Sequence, residues 1–238
     1  MSVPAGSGGA RGDQHRERVE RVLDGALGQR GQQLLRLASA VEDVLTCLVH
    51  RGVLAEQVEG QILETVAPAP GEDPLKHYLD VVAGKTGSLI ATSARYGALF
   101  GGAGPEVERA LTAYGEIVGS AFQLSDDILD IASDSHESGK TPGTDLREGV
   151  PTLPVLMART SIDPADARLL ELLDSDLTDD ARHAEALRLL RAHPALEHAR
   201  RDTVRYAEEA RAALAPLREC EAKAALVQLC DAVVHRAG

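Results

Sequence analysis

The sequence predicts an all-α protein folded as one large domain, and three observations carry that prediction. Ala, Leu, Arg and Glu dominate a chain whose aromatic content is only 3%, a bias that favours helix over sheet. Apolar residues recur at helical spacing along most of the chain, whereas no segment shows the strict alternation of a half-buried strand. A length of 238 residues with 44% hydrophobic content is enough for one sizeable core. The domain is expected to span residues 15–238. Residues 1–14, rich in Gly, Ser and Ala, are expected to be disordered.

The elements follow in order. Val19, Val22, Leu23 and Leu27 open the helical pattern, which Leu34, Leu35, Leu37, Val41, Val44, Leu45 and Leu48 continue. A further helix follows Gly52 in "VLAEQVEGQILETV", and "APAPGEDP" (67–74) reads as a loop. The long apolar helix "LKHYLDVVAGKTGSLIATSARYGALFGG" is interrupted by Gly84 and Gly87 around Lys85 and Thr86. Each glycine weakens a helix by about 1 kcal/mol against Ala, so a bend or a close backbone approach is expected there. The next helix starts at Pro105 with Glu106 and Glu108 in its first turn, a favourable N-terminus. Residues 133–151 read as a polar loop, and "TLPVLMART" as a short apolar segment. Three or four amphipathic helices are expected, near 163–174, 179–192, 195–214 and 216–236. The second quarter of the chain is expected to be the most buried.

Net charge is −12, which argues against a nucleic-acid partner. It does not exclude a small anion met by a local basic pocket or a bound cation. Cys47, Cys220 and Cys230 lack metal-type spacing and read as buried or free thiols in a reducing, cytoplasmic setting. The first residues lack the apolar core of a secretory signal, and no run of about 18 apolar residues marks a membrane span.

The stretch "GSAFQLSDDILDIAS" (119–133) places Asp126, Asp127 and Asp130 inside an apolar run. On a helix, taking Asp126 as zero, Asp130 falls near ~40°, Gln123 near ~60° and Asp127 near ~100°. The rest of the circumference holds Phe122, Leu124, Ile128, Leu129 and Ile131, broken only by Ser125. The pattern predicts a buried helix with a narrow acidic stripe facing an internal, wet cavity, the reverse of a surface helix. An exposed acidic turn or a salt-bridged patch is the plainer alternative, and the apolar flanks count against it. Carboxylates this close repel one another unless a cation sits among them. Oxygen ligands without Cys or His suit Mg²⁺ or Ca²⁺, and Mg²⁺ is commonly held by one or two carboxylates with substrate phosphates completing its shell. Cations able to meet such a phosphate are Lys85 in "AGKTGS", beside the Thr86 hydroxyl, and Lys140 in "SGKTPGTDL". Neither "GKT" has the glycine spacing of a P-loop. Asp179 and Asp180 read as a helix cap.

Taken together, "FQLSDDILDI" and "GKTPGTDLREGVPTLPVLMA" resemble the second Asp-rich motif and following loop of the trans-isoprenyl diphosphate synthases, the polyprenyl synthetase family. "YLDVVAGKTGSLIATSARYGALFGGA" resembles that family's Lys-Thr helix, "VEGQILE" its Gly-Gln segment, and the tail from Tyr206 its closing helices. The resemblance runs from about residue 56 to 238. It implies an isoprenoid-synthase-type helical bundle around a central cavity. It also implies a Mg²⁺-dependent prenyltransferase that condenses an allylic diphosphate with isopentenyl diphosphate. Asp126, Asp127 and Asp130 would hold the metal; Lys85, Thr86, Gln123 and Lys140 would contact the diphosphate or close the site, with Lys85 and Lys140 in catalytic roles. A homodimer, or a heteromer with a complete synthase, is implied as well.

The family also carries a first Asp-rich motif upstream of the Gly-Gln segment, and no second DDxxD occurs in this sequence. The chain is therefore expected to be an N-terminally shortened member. It reads as a fragment, as a subunit beside a complete synthase, or as a helical interaction protein without turnover.

Overall fold

A computed structural model describes residues 60–133 and 142–236, all within one compact unit, Gly52–Gly238. The expected disordered segment 1–14, the helices read between residues 19 and 48, and Lys140 lie outside the described residues. Every regular element described is helical. After a helical stretch at 60–65 come α1 (Pro74–Val82), a π-helical turn (Ala83–Gly87), α2 (Ser88–Phe100) and α3 (Pro105–Ala132). Then follow α4 (Thr144–Glu148), α5 (Leu153–Arg159), a 3₁₀ turn (Pro164–Asp166), α6 (Ala167–Leu173), α7 (Asp180–Ala192), α8 (Pro194–Ala213) and α9 (Glu221–Arg236). No described helix is long and apolar enough to cross a membrane.

The starts of these helices follow from local chemistry. Asp73 accepts a hydrogen bond from the Leu75 amide ahead of Pro74, and Asp179 accepts from Arg182, as expected of a cap. The His193 side chain caps α8 by accepting from the Ala195 amide. The long apolar helix read around Lys85 is two α-helices joined by the π turn. The Ser88 amide there reaches back five residues to the Ala83 carbonyl, and the Ser88 hydroxyl takes the Gly84 carbonyl. The glycines at this bend allow close approach. A Cβ on Gly119 would stand 3.0 Å from Gly87 Cα, and one on Gly115 would stand 2.6 Å from Ala91 Cα.

α3 is the axis of the unit and packs on α1, α2, α4, α5, α7, α8 and α9. Two apolar clusters flank it. One joins Tyr78, Val82, Leu124, Ile128 and Ile131 to Leu153, Leu156, Leu172 and Leu190. The other joins Tyr114, Val118 and Ala121 to Ala207, Ala210, Leu214, Cys230 and Val233. Burial therefore concentrates from Ala110 onward through α3, α5 and the turns of α6 to α8 that face it, not in the second quarter of the chain as expected. The reason is that α1 and α2 keep one side in solvent, where Leu89, Leu99 and Phe100 are exposed. α4 also departs from the sequence reading, which made 133–151 a loop. It is one turn bracketed by Gly143 and Gly149, both left-handed, and is too short for periodicity to register.

Candidate functional site

α1, the π turn, the lower half of α3, residues 63–68 and the segment 148–152 enclose a cleft of about 630 Å³. A hydrogen-bond chain crosses its wall. The Thr86 hydroxyl donates to Gln123 Oε1 at 3.1 Å, Gln123 Nε2 donates to Asp127 Oδ1 at 3.0 Å, and the Tyr78 hydroxyl donates to Asp127 Oδ2 at 2.5 Å. Lys85, Glu64, Asp145 and Glu148 supply further charge to the lining, and Leu63, Val66, Val81, Val82 and Leu156 supply apolar wall. The Thr152 hydroxyl on the same lining is buried and has no hydrogen-bond partner. A buried donor of this kind ordinarily has an acceptor.

Local sequence explains the convergence. Lys85 and Thr86 sit in the π turn, which packs directly on α3 at Gly119, one turn above Gln123. Gln123 and Asp127 are four residues apart, so their side chains stack on one face. Tyr78 lies on α1, which leads directly into the π turn that carries Lys85, and both line the cleft.

The electrostatics distinguish the three aspartates. Asp127 is buried, and burial pushes its carboxyl up to about 6, against the pull of donors from Tyr78, Gln123 and the Leu153 amide; Asp145 adds to the upward push. The Tyr78 hydroxyl is held well above its ordinary range by burial first and by the Asp127 charge second. Asp130 is raised too, by burial, although it accepts hydrogen bonds from the Thr144 and Asp145 amides at 3.0 and 3.1 Å. Asp126 is half-exposed and pairs with Arg236 at 3.3 Å, whose guanidinium lies 4.6 Å from the centre of the Phe122 ring.

Of the expected site residues, Lys85, Thr86, Gln123 and Asp127 line the one cleft. Asp126 and Asp130 do not; they turn to either side of it, toward the end of α9 and the start of α4. The acidic stripe is therefore split, each carboxylate held by its own partner, which relieves the repulsion expected of a bare cluster. Within the lining, Lys85 Nζ contacts both oxygens of Glu64, at 2.8 and 2.6 Å.

Among the described residues no three His, Cys, Asp or Glu side chains converge as a metal cage. The donors present are carboxylate oxygens, which suit a hard divalent cation held by one or two side chains with the remaining ligands from a bound anion. The buried Asp127 carboxylate and the orphaned Thr152 hydroxyl fit a site completed by such a cation–anion pair.

A family model, polyprenyl synthetase, matches residues 25–190. The chain belongs to the polyprenyl synthetase family. It is 47% identical over 184 residues to a nonaprenyl diphosphate synthase of Mycobacterium tuberculosis, covering 77% of this chain and 55% of that protein. It is 41% identical over 196 residues to a dimethylallyltranstransferase of the same organism, covering 82% and 59%. Among solved structures it resembles a geranylgeranyl pyrophosphate synthase of Corynebacterium glutamicum complexed with calcium and isoprenyl diphosphate. The TM-score is 0.75 at 40% identity, over 87% of this chain and 66% of that one. The chain thus spans just over half the length of the curated relatives it matches. The all-α, isoprenoid-synthase-type fold expected from the sequence is that of these structures.

Sequence reading missed several lining residues. Tyr78 carried a signal only in being an aromatic residue on the helix that leads into Lys85. Glu64 stood inside the quoted Gly-Gln segment, and Asp145 inside the loop after the acidic helix, without being singled out. Thr152 carried none, since an unpartnered hydroxyl is visible only in three dimensions.

Proposed function

We propose that this chain acts as a trans-polyprenyl diphosphate synthase, a prenyltransferase that joins isopentenyl diphosphate to an allylic diphosphate. The supporting observation is the cleft in which Thr86, Gln123, Asp127 and Tyr78 form one hydrogen-bonded chain between Lys85 and an apolar wall. The names of the two mycobacterial relatives, and the calcium and isoprenyl diphosphate in the Corynebacterium structure, point the same way.

In this reading the allylic C–O bond breaks, and diphosphate leaves with the bonding electrons. The double bond of isopentenyl diphosphate then attacks the allylic carbon, and a proton is lost. Lys85, Thr86, Gln123 and Lys140 hold the leaving diphosphate, with Lys85 and Lys140 countering its growing charge. Asp127 in the cleft would hold Mg²⁺, joined by Asp126 and Asp130 once they turn in from Arg236 and from the Thr144 and Asp145 amides, and the ion would neutralise that same charge. The Leu63, Val81, Val82 and Leu156 side chains keep water from the electron-poor carbon. The domain extends over residues 15–238 in a cytoplasmic protein that works as a homodimer, or as a heteromer with a complete synthase. A second reading, binding without turnover as a subunit of such a heteromer, is favoured by the splitting of the three aspartates, of which only Asp127 lines the cleft.

Calorimetry with Mg²⁺ and geranyl diphosphate tests the site. Binding should vanish without Mg²⁺ and in an Asp126→Ala/Asp127→Ala variant; equal binding by that variant would sink the assignment. Product chromatography after addition of isopentenyl diphosphate separates the two readings, since only the synthase extends the prenyl chain unaided.

A further inference from the structure

Asp130 is held from one side by a turn, and that turn is held from the other side by a buried histidine. The Thr144 and Asp145 amides donate to the two Asp130 oxygens, and the Gly143 amide donates to the Asp130 backbone carbonyl at 2.7 Å. Gly143 has φ +72°, so the turn depends on a residue that adopts the left-handed region. His183, on α7, lies directly behind it. His183 Nε2 contacts the Gly143 carbonyl at 2.7 Å, and Nδ1 contacts Arg147 Nη2 at 3.1 Å. The carbonyl can only accept and the guanidinium can only donate, so Nε2 carries the proton and Nδ1 offers its lone pair. No slack exists at the contact, since a Cβ on Gly143 would stand 2.7 Å from His183 Nε2. Arg147 is fastened in turn to the Thr178 carbonyl at 3.0 Å and to Asp180 at 2.9 Å. The 143–147 turn is thereby pinned to the start of α7.

The geometry points to His183 as a positioning residue: through the Gly143 carbonyl it fixes the turn whose amides aim the Asp130 carboxylate. This rests on the proposed role of Asp130 as a metal ligand and adds a residue 53 positions away in the chain. Outer partners that orient a ligand commonly change metal affinity by about tenfold or more when removed.

The test compares His183→Leu, His183→Gln and His183→Asn. Gln places an amide donor near Nε2 and restores the Gly143 bond; Asn places an acceptor near Nδ1 and restores only the Arg147 bond. Two quantities are read: Mg²⁺-dependent affinity for inorganic pyrophosphate by calorimetry, and exchange of the Thr144 and Asp145 amides without metal. His183→Leu and His183→Asn should bind about tenfold more weakly and exchange both amides faster, with His183→Gln near wild type. Wild-type behaviour of His183→Leu in both readouts, or rescue by Asn as good as by Gln, would overturn the proposal. Should His183→Leu not fold, the Gln and Asn variants decide it alone. Faster exchange in His183→Asn, with no pyrophosphate bound by the wild type, would uphold the hold on Asp130 and overturn the proposed site.

Discussion

The two halves of α3 solve the same packing problem with different chemistry. In the N-terminal half, Gly115 and Gly119 let α2 and the π turn approach to backbone contact, and the Tyr114 hydroxyl donates to the Leu226 carbonyl at 2.9 Å. In the C-terminal half a second buried tyrosine, Tyr78, donates instead to the Asp127 carboxylate. A phenol on a backbone carbonyl fastens two helices and does little else. A phenol on a buried carboxylate keeps in place a group that water would otherwise solvate better, which is unfavourable for folding. The first half of the helix is built for stability and the second gives some of it up.

That contrast can be broken at four positions. The largest effect is expected for Gly115→Ala, where the new methyl meets the Ala91 backbone; overpacking of this kind costs about 3 kcal/mol, read by chemical denaturation. A loss well below that would show that α2 is free to move away.

Asp127→Asn is expected to act in the opposite direction. The Asp127 carboxyl, held at about 6 against an ordinary 3.8, binds its proton more tightly in the folded chain than in the unfolded one. The folded state is therefore penalised above pH 6, and the penalty disappears as pH falls through 6 toward 4. At pH 8 the Asn variant should be more stable by up to about 3 kcal/mol, an advantage that closes near pH 4. Denaturation curves at both pH values check this, and a gap independent of pH would contradict it.

The smallest effects sharpen the comparison most. Tyr78→Phe and Tyr114→Phe should each cost about 1 kcal/mol of stability. Only Tyr78→Phe should weaken Mg²⁺-dependent pyrophosphate binding, by about tenfold in calorimetry. Equal weakening by Tyr114→Phe would mean that the halves are not separate in function.

The N-terminal half of α3 was legible in sequence, because Pro105, the first-turn acids and the apolar spacing are all local signals. So were α7 and α8, marked by Asp179 and by the His193–Pro194 break. Gln123 and Asp127 could be gathered from helix phase, whereas Lys85 and Thr86 stood out by the glycines around them and by the family resemblance. The splitting of the aspartates could not. It depends on Arg236 and on the Thr144 and Asp145 amides, which reach α3 from 110, 14 and 15 residues away. His183 escaped for the same reason: its two ring nitrogens are committed to partners 40 and 36 residues distant.

The π turn at Ala83–Gly87 makes this part of the chain intolerant of changes in length. A π turn is an α-helix carrying one surplus residue, and removing it would rotate everything beyond by about 100°. Thr86 would then swing off Gln123, and Gly87 would no longer meet Gly119. Two segments with unremarkable composition are thus phased by a single insertion. Exchange of blocks between related chains would preserve the cleft only where the joins fall outside residues 83–87.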